Sequence, residues 1–343
     1  MATSRPTFDQ LPLREGDPPW SAWGLYGMDD KLGTLNLLTP DVVVEAAKEI
    51  KTGVRVGLDF PINHLAKPTH NRRGYKHTIV WKEPRTVHDD ELEFNTQNSS
   101  QWDGLRHYGY QREKVWYNGI KQPQISGPNS TSEIYHNGTK QPQGSGPDTL
   151  ALSIDAWCDQ GIVGRGVLLD YYRWTQETGK HYDLLSTHPI KAEDLKACAK
   201  AQGVEFKKGD ILLIRSGWKV GYESMTAEEK LAWCDKTPTT WTGVETSIDN
   251  ARFFWDTGFS ACGGDAPGFE QIPFPKSDPG GLESYHLHEI MLGGWGMPIG
   301  EMFNLERLSE ECFKHKRWTF FLASMPLNVP NGAASPPNIV AIF

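Results

Sequence analysis

The run Ile211-Leu-Leu-Ile214 constrains this chain more than any other stretch. It is entered through the turn Lys208-Gly209-Asp210 and left through Arg215-Ser216. Four consecutive branched apolar residues between turn signals read as a strand buried within a sheet. Further apolar strands read at 166–171 and from Phe259 to Gly263. Between them the periodicity changes. Residues 191–202 place Leu195, Cys198 and Ala199 on one face of a helix, and Thr226–Asp235 and Ser247–Thr257 also read as helices. Nearer the start, Thr39 is a good N-cap and Pro40 suits a first helical turn. That helix ends before Gly53, and an alternating strand follows from Val54 to Phe60. Residues 283–293 read as helical, and two strands, 318–326 and 338–343, close the chain. Helices and strands mix without a regular βαβ rhythm. This favours an α/β architecture with a mixed sheet over a doubly wound one.

The 343 residues suffice for one large domain. Residues 1–22 are Pro-rich and polar and read as an extended N-terminal arm, with residues 23–343 as the domain. Residues 66–118 are rich in His, Arg, Asn, Gln, Trp and Tyr and show little periodicity; long irregular segments of this kind are often functional. The segment starting at Asn118 (NGIKQPQISGP) recurs from Asn137 (NGTKQPQGSGP). Two copies are too few for a solenoid. The duplication at 118–147 therefore reads as a surface-loop insertion, which costs little loop entropy.

A net charge of −8 argues against a nucleic-acid backbone as partner. No apolar run follows Met1, and no window approaches the ~18 residues of a membrane span. The five cysteines are scattered and form no CxxC pair, so reduced, mostly buried thiols are expected. These features point to a soluble cytoplasmic protein with a small-molecule substrate and no membrane partner.

Candidate chemistry lies in two places. In Gln97-Asn-Ser-Ser-Gln101-Trp-Asp103-Gly-Leu-Arg-His107, Gln101 and Asp103 point the same way if the segment is extended. His107 follows a glycine that permits a turn. Two oxygen donors beside an imidazole could hold a metal and move a proton; a polar loop with Asp103 capping a turn fits the spacing as well. The second place is His286-Leu-His288-Glu289, followed after a Gly-rich stretch by Glu301. No second His stands four residues after His288, so this is not a zincin HExxH. His286 and His288 cannot share one helical face, so one of them is expected to face solvent or the core. Asp265, after two glycines, is a candidate substrate or ligand-orienting group, or a turn residue. Trp102, Tyr108 and Trp295 adjoin the candidate ligands and could line an aromatic pocket.

The stretch 97–107 resembles the cyclase-family signature His-x-Gly-Thr-His-x-Asp-x-Pro-x-His, with Asp103 on its Asp and His107 on its last His. His288 and Glu301 are similar to the family's later His and Glu. Trp23-Gly24 with Asp30, Gly33-Thr-Leu-Asn36, the Lys208–Trp218 stretch, Gly264-Asp265-Ala-Pro267 and the closing strand extend the resemblance from about Trp23 to the C-terminus. The chain departs from the signature at Gln97 and Gln101, where the family has His, at Ser99-Ser100 and at Leu105. In kynurenine formamidase, a member of the family, those His help to hold two zinc ions.

The resemblance implies a swivelling mixed β-sheet domain, β-barrel-like, with flanking helices. It also implies a metal-dependent hydrolase and a homodimer or homotetramer. With Gln at two positions, the expected site holds one divalent ion, Mn or Zn. Its expected ligands are Gln101, Asp103, His288 and Glu301, with His107 as general base. Gln97, Trp102, Tyr108, Asp265 and Trp295 are expected at the substrate. The substrate would be a small cyclic or aryl amide, or a lactone. A cyclase or lyase of secondary metabolism using the same pocket, or an inactive ligand-binding member, are the alternatives.

Overall fold

The computed structural model describes residues 5–125, 134–136, 139–141, 152–236, 239–273 and 285–343. A nine-stranded mixed sheet organises them. Its strands run, in spatial order, Arg55–Gly57, Ile339–Ile342, Thr319–Ser324, Ile162–Leu169, Ile211–Ile214, Ala261–Gly264, Ile299–Glu301, Gln101–Asp103 and Ala334–Ser335. The four central strands, from Ile162–Leu169 to Ile299–Glu301, are parallel, and antiparallel partners flank them on both sides. The sheet curls into a half-barrel, as the mixed, barrel-like α/β expectation holds.

The run Ile211–Ile214 lies at the middle of the sheet, every residue buried. Burial on both faces is what a strand without a polar face requires. Helix Ala192–Gln202 covers the sheet with Leu195, Cys198 and Ala199 and ends at Gly203 in the left-handed conformation. Helices Ala227–Asp235 and Ile248–Thr257 begin at Thr226 and Ser247, whose side chains cap them. The Thr39-capped helix spans Pro40–Ala47. All five cysteines are free and four are buried.

Several elements differ from the sequence reading. The strand expected over 54–60 is regular only at Arg55–Gly57, with a single bridge from Asp59 to Phe303 beyond it, although Val56, Leu58 and Phe60 keep the inward alternation. Residues 5–22 lie along the domain instead of extending from it. Phe8 is buried, the Arg5 guanidinium stacks on Trp255, and the Trp255 indole donates to Pro6 O. Within the segment expected to be irregular, Lys76–Trp81 and His88–Glu93 form an antiparallel hairpin outside the main sheet. Of the duplicated segment, residues 126–133, 137–138 and 142–147 lie outside the described residues, so the loop assignment is untested. Among the described residues, no helix is long and apolar enough to cross a membrane.

Candidate metal centre and pocket

Strand pairing brings the two motifs together. Gln101–Asp103 runs antiparallel to Ile299–Glu301, with Glu301 opposite Gln101, Gly300 opposite Trp102 and Ile299 opposite Asp103. The period of two puts Gln101, Asp103 and Glu301 on one face and Trp102 on the other. Trp102 packs edge-on against Phe303 and donates to Ser324 Oγ, which fixes this register from behind. Gly300 is needed here, because a Cβ would stand 2.4 Å from Phe303 Cζ and 2.9 Å from Trp102 Cζ3.

His288 reaches the same face from the start of a π-helical turn, Glu289–Trp295. Single π-turns are frequent at functional sites. Its Nε2 lies 3.1 Å from Glu301 Oε1 and 3.4 Å from Asp103 Oδ2. Its Nδ1 lies 2.5 Å from Glu270 Oε2. Glu270, buried and absent from the sequence reading, fixes the ring and directs Nε2 at the two carboxylates.

The glutamines at the two departures from the signature hold those carboxylates from behind. Gln97 Nε2 donates to Asp103 Oδ1, and Gln101 Nε2 donates to Glu301 Oε2 at 2.7 Å. Phe269 N donates to Glu301 Oε1 at 2.9 Å. Asp103 Oδ2 is left buried without a hydrogen-bond partner, as is Gln101 Oε1. Gln101 thus presents an amide nitrogen to Glu301, whereas a ligand role would need its oxygen turned to the ion.

Three buried carboxylates around one imidazole perturb one another. Burial alone would push the His288 imidazole down, but the charge of Glu270 and the close approach of the Asp103, Glu270 and Glu301 carboxylates raise it well above its ordinary value. Burial and the neighbouring Asp103 charge raise Glu301. Asp103 is lowered despite burial, by His107, His288 and the Gln97 amide. Glu270 is lowered despite burial, by His288. The metal-free floor thus holds a protonated His288 against ionised Asp103 and Glu270.

His107 Nε2 stands 3.8 Å from Asp103 Oδ2 at the more exposed edge of the cluster. Above the floor opens a cavity of about 310 Å³, lined by Gln97, His107, Tyr108, His286, His288 and Glu301, with Arg72, Trp241 and Glu270 among the remaining walls. Both His286 and His288 face it, contrary to the expectation that one would turn away. His286 precedes the helical turn, so helical spacing does not separate the two rings; the Tyr108 hydroxyl lies 2.9 Å from His286 Nδ1.

Three expected pocket residues stand elsewhere. Trp102 is on the opposite sheet face. Trp295 is wholly buried, packs at a tilt against Trp255 and donates to Trp20 O. Asp265 accepts from the backbone of Ser216, Gly217 and Trp218 and from Ser216 Oγ, so it anchors the start of helix Trp218–Ser224. Glu270, Arg72, His70 and Trp241 were missed. They sit on loops whose position depends on tertiary packing, and only the clustering of His, Arg and Trp around 66–118 hinted at the first wall.

The donors present fit a divalent ion. Asp103, His107 and His288 each offer one ligand atom within 4.8 Å of the others, and Glu301 Oε1 lies 3.1 Å from His288 Nε2. Bonds of about 2.0–2.2 Å to one centre require that order of spacing. The unpartnered Asp103 Oδ2 is a lone pair that an ion would satisfy. Imidazole and carboxylate without thiolate suit zinc and manganese alike.

The Cyclase family model matches residues 36–271, which contain Gln97 to His107 and Glu270 but not His288 or Glu301. No curated protein matches the sequence. One solved structure, described as a novel cyclase, superimposes with a TM-score of 0.76 at 27% identity, over 94% of this chain and 99% of that one. Isatin hydrolase A from Ralstonia solanacearum superimposes at 0.56 with 13% identity, over 89% of this chain and 97% of that one. Isatin hydrolase A from Labrenzia aggregata, bound to benzyl benzoate, gives 0.54 and 13%, over 90% and 98%. These last two share the fold.

Proposed function

Because the chain belongs to the cyclase family, we propose that it is a metal-dependent hydrolase opening a small cyclic or aryl amide, or a lactone, in this cavity. The observation that carries the reading is Asp103 Oδ2, buried without a hydrogen-bond partner and facing His288, Glu301 and His107 on a cavity floor. Asp103, His288 and Glu301 would hold a divalent ion, which when bound lowers the pKa of a water and polarises a carbonyl.

The chain's own groups do the rest. Glu270 keeps the Nδ1 proton of His288 and so leaves Nε2 free to coordinate. Gln97 and Gln101 tie down the outer oxygens of Asp103 and Glu301, so the inner oxygens stay aimed at one point. In this reading Gln101 orients a ligand instead of being one. His107 Nε2 takes the proton from the attacking water and delivers it to the leaving nitrogen or oxygen. Its ring is 23% exposed, against 12% for His288, which places it toward the cavity mouth, where substrate arrives. Tyr108 and Trp241 give the aromatic part of a substrate an apolar wall.

The test is a screen of cyclic amides, aryl formamides and aryl lactones with metal-loaded protein, the products weighed by mass spectrometry. Isatin, the substrate named by two fold neighbours, is one of the probes. The proposal expects a product heavier than substrate by one water from a cyclic amide or lactone, and an arylamine plus formate, together heavier by one water, from an aryl formamide. A product of unchanged mass would instead identify a cyclase or isomerase. His107→Ala is expected to keep the ion and lose turnover; loss of the ion would make His107 a ligand.

A further inference from the structure

Next to the reaction chamber lies a second cavity of about 530 Å³. The two share His70, Arg72 and Ile272 in their walls, so these residues form the seam between them. The charge of the outer cavity is opposite to that of the floor. Among the described residues its walls include the cations Lys67, Arg72 and Lys236, with Asp235 as the one acid. Asp235 is already paired with Lys67. Lys236 donates to the neutral hydroxyl of Thr240.

Arg72 is the informative member. Its Nη1 donates to the carbonyl of Gln97 at 2.9 Å, and its Nη2 lies 3.5 Å from Gln97 Oε1. Both acceptors are neutral. A half-buried guanidinium normally finds a carboxylate, whose planar pair of oxygens matches its fork. The charges of Asp103 and Glu301 act on Arg72 from across the chamber, but neither touches it. The turn that presents it is also unusual. Arg72 N donates to Thr69 O at 3.2 Å, closing a four-residue turn whose central residues, His70 and Asn71, have φ of 57° and 55°. Two successive left-handed non-glycine residues carry a local cost, and such strain gathers where side chains are held for binding.

We propose that Arg72, at the mouth of the reaction chamber, binds an anionic group of the substrate, so that the hydrolysed amide or lactone is one bearing a carboxylate. The inference rests on the chamber being the substrate site. Lys236 adds positive potential in the outer cavity, while Trp241 and Ile272 receive the apolar body joining the anion to the reacting bond.

The probes are benzenesulfonate and methyl phenyl sulfone, one anionic and one neutral, of similar size; sulfonate is a poor metal ligand. Calorimetry on metal-loaded protein measures both affinities. Wild type is expected to prefer the sulfonate by about tenfold or more, the scale of one charge-assisted hydrogen bond. Arg72→Gln should abolish that preference and leave sulfone binding unchanged. Equal affinities in wild type overturn the proposal. So does a preference that survives in Arg72→Gln, which would locate the anion on the metal. Should Arg72→Gln fail to fold, Arg72→Lys decides: loss of the fork should cut the preference several-fold, and an unchanged preference contradicts the assignment. Binding is read without turnover. A screen that finds no hydrolysed substrate would therefore sink the hydrolase reading and leave this result standing. Equal binding in wild type would remove the anion subsite and leave the hydrolase reading.

Discussion

On the cavity floor, Asp103 and Glu301 sit on paired strands, their register fixed by Trp102 and Gly300 on the far side. On the outer wall, His70 and Arg72 sit on a turn held by one backbone hydrogen bond, in a conformation most residues avoid. The floor carboxylates Asp103, Glu270 and Glu301 are buried, whereas on the wall the Arg72 guanidinium is half-buried and His70 is exposed. The difference suits a division of labour. Reacting groups need angular precision, which sheet register supplies. Recognition of one substrate among many is carried by loops, which change without disturbing the core.

The comparison breaks most sharply at Asp103. Asp103→Ala should lose the ion and lower turnover by about a thousandfold or more, because the activated water goes with it. Arg72→Gln, on the wall, should keep the ion, as elemental analysis of the two variants side by side would show. Glu270→Gln comes next. It leaves the ligands in place but loosens His288, and should weaken metal affinity by about 10- to 100-fold in competition against a chelator. Unchanged affinity would mean that the short contact to His288 does not orient it.

Protonation sharpens the same contrast. In the metal-free protein His288 is raised well above its ordinary value by Glu270 and its neighbours, so Nε2 carries a proton at neutral pH. An ion needs that lone pair. Binding at pH 7 should therefore release about one proton, and affinity should fall as pH falls. Calorimetry in two buffers of different ionisation heat measures the release; none at all would contradict the charge state described for the floor.

The smallest expected effects concern the backbone. Gly300→Ala drives a Cβ into Phe303 and Trp102 and should cost about 1–3 kcal/mol in denaturant unfolding. Asn71→Gly, at a left-handed position on the wall, should change stability by less than about 1 kcal/mol, because glycine adopts that φ freely. Equal losses at both positions would erase the difference between floor and wall.

Much of the floor was legible in the sequence for the reason that makes it rigid. Alternation along a strand puts Gln101 and Asp103 on one side, and the spacing to His107 survives any detail of the loop. Helix caps at Thr39, Thr226 and Ser247 and the apolar run Ile211–Ile214 were legible because each is decided by neighbours in the chain. Glu270 was not legible, since its meeting with His288 depends on how a loop folds over the chamber. Trp102 and Trp295 adjoin the candidate ligands in sequence but not in space, because a strand and a packed turn send them to the core. The role of Asp265 was open between turn and ligand, and four donors around it decide for the turn.

The proposed chemistry requires a bound ion. Elemental analysis of protein purified without a metal-affinity tag, with Asp103→Ala and His288→Ala alongside, measures it directly. About one divalent ion per chain is expected in the native protein and none in either variant, as the one cluster of imidazole and carboxylate donors among the described residues requires. Native protein that takes up neither manganese nor zinc, even after incubation with each, would contradict it.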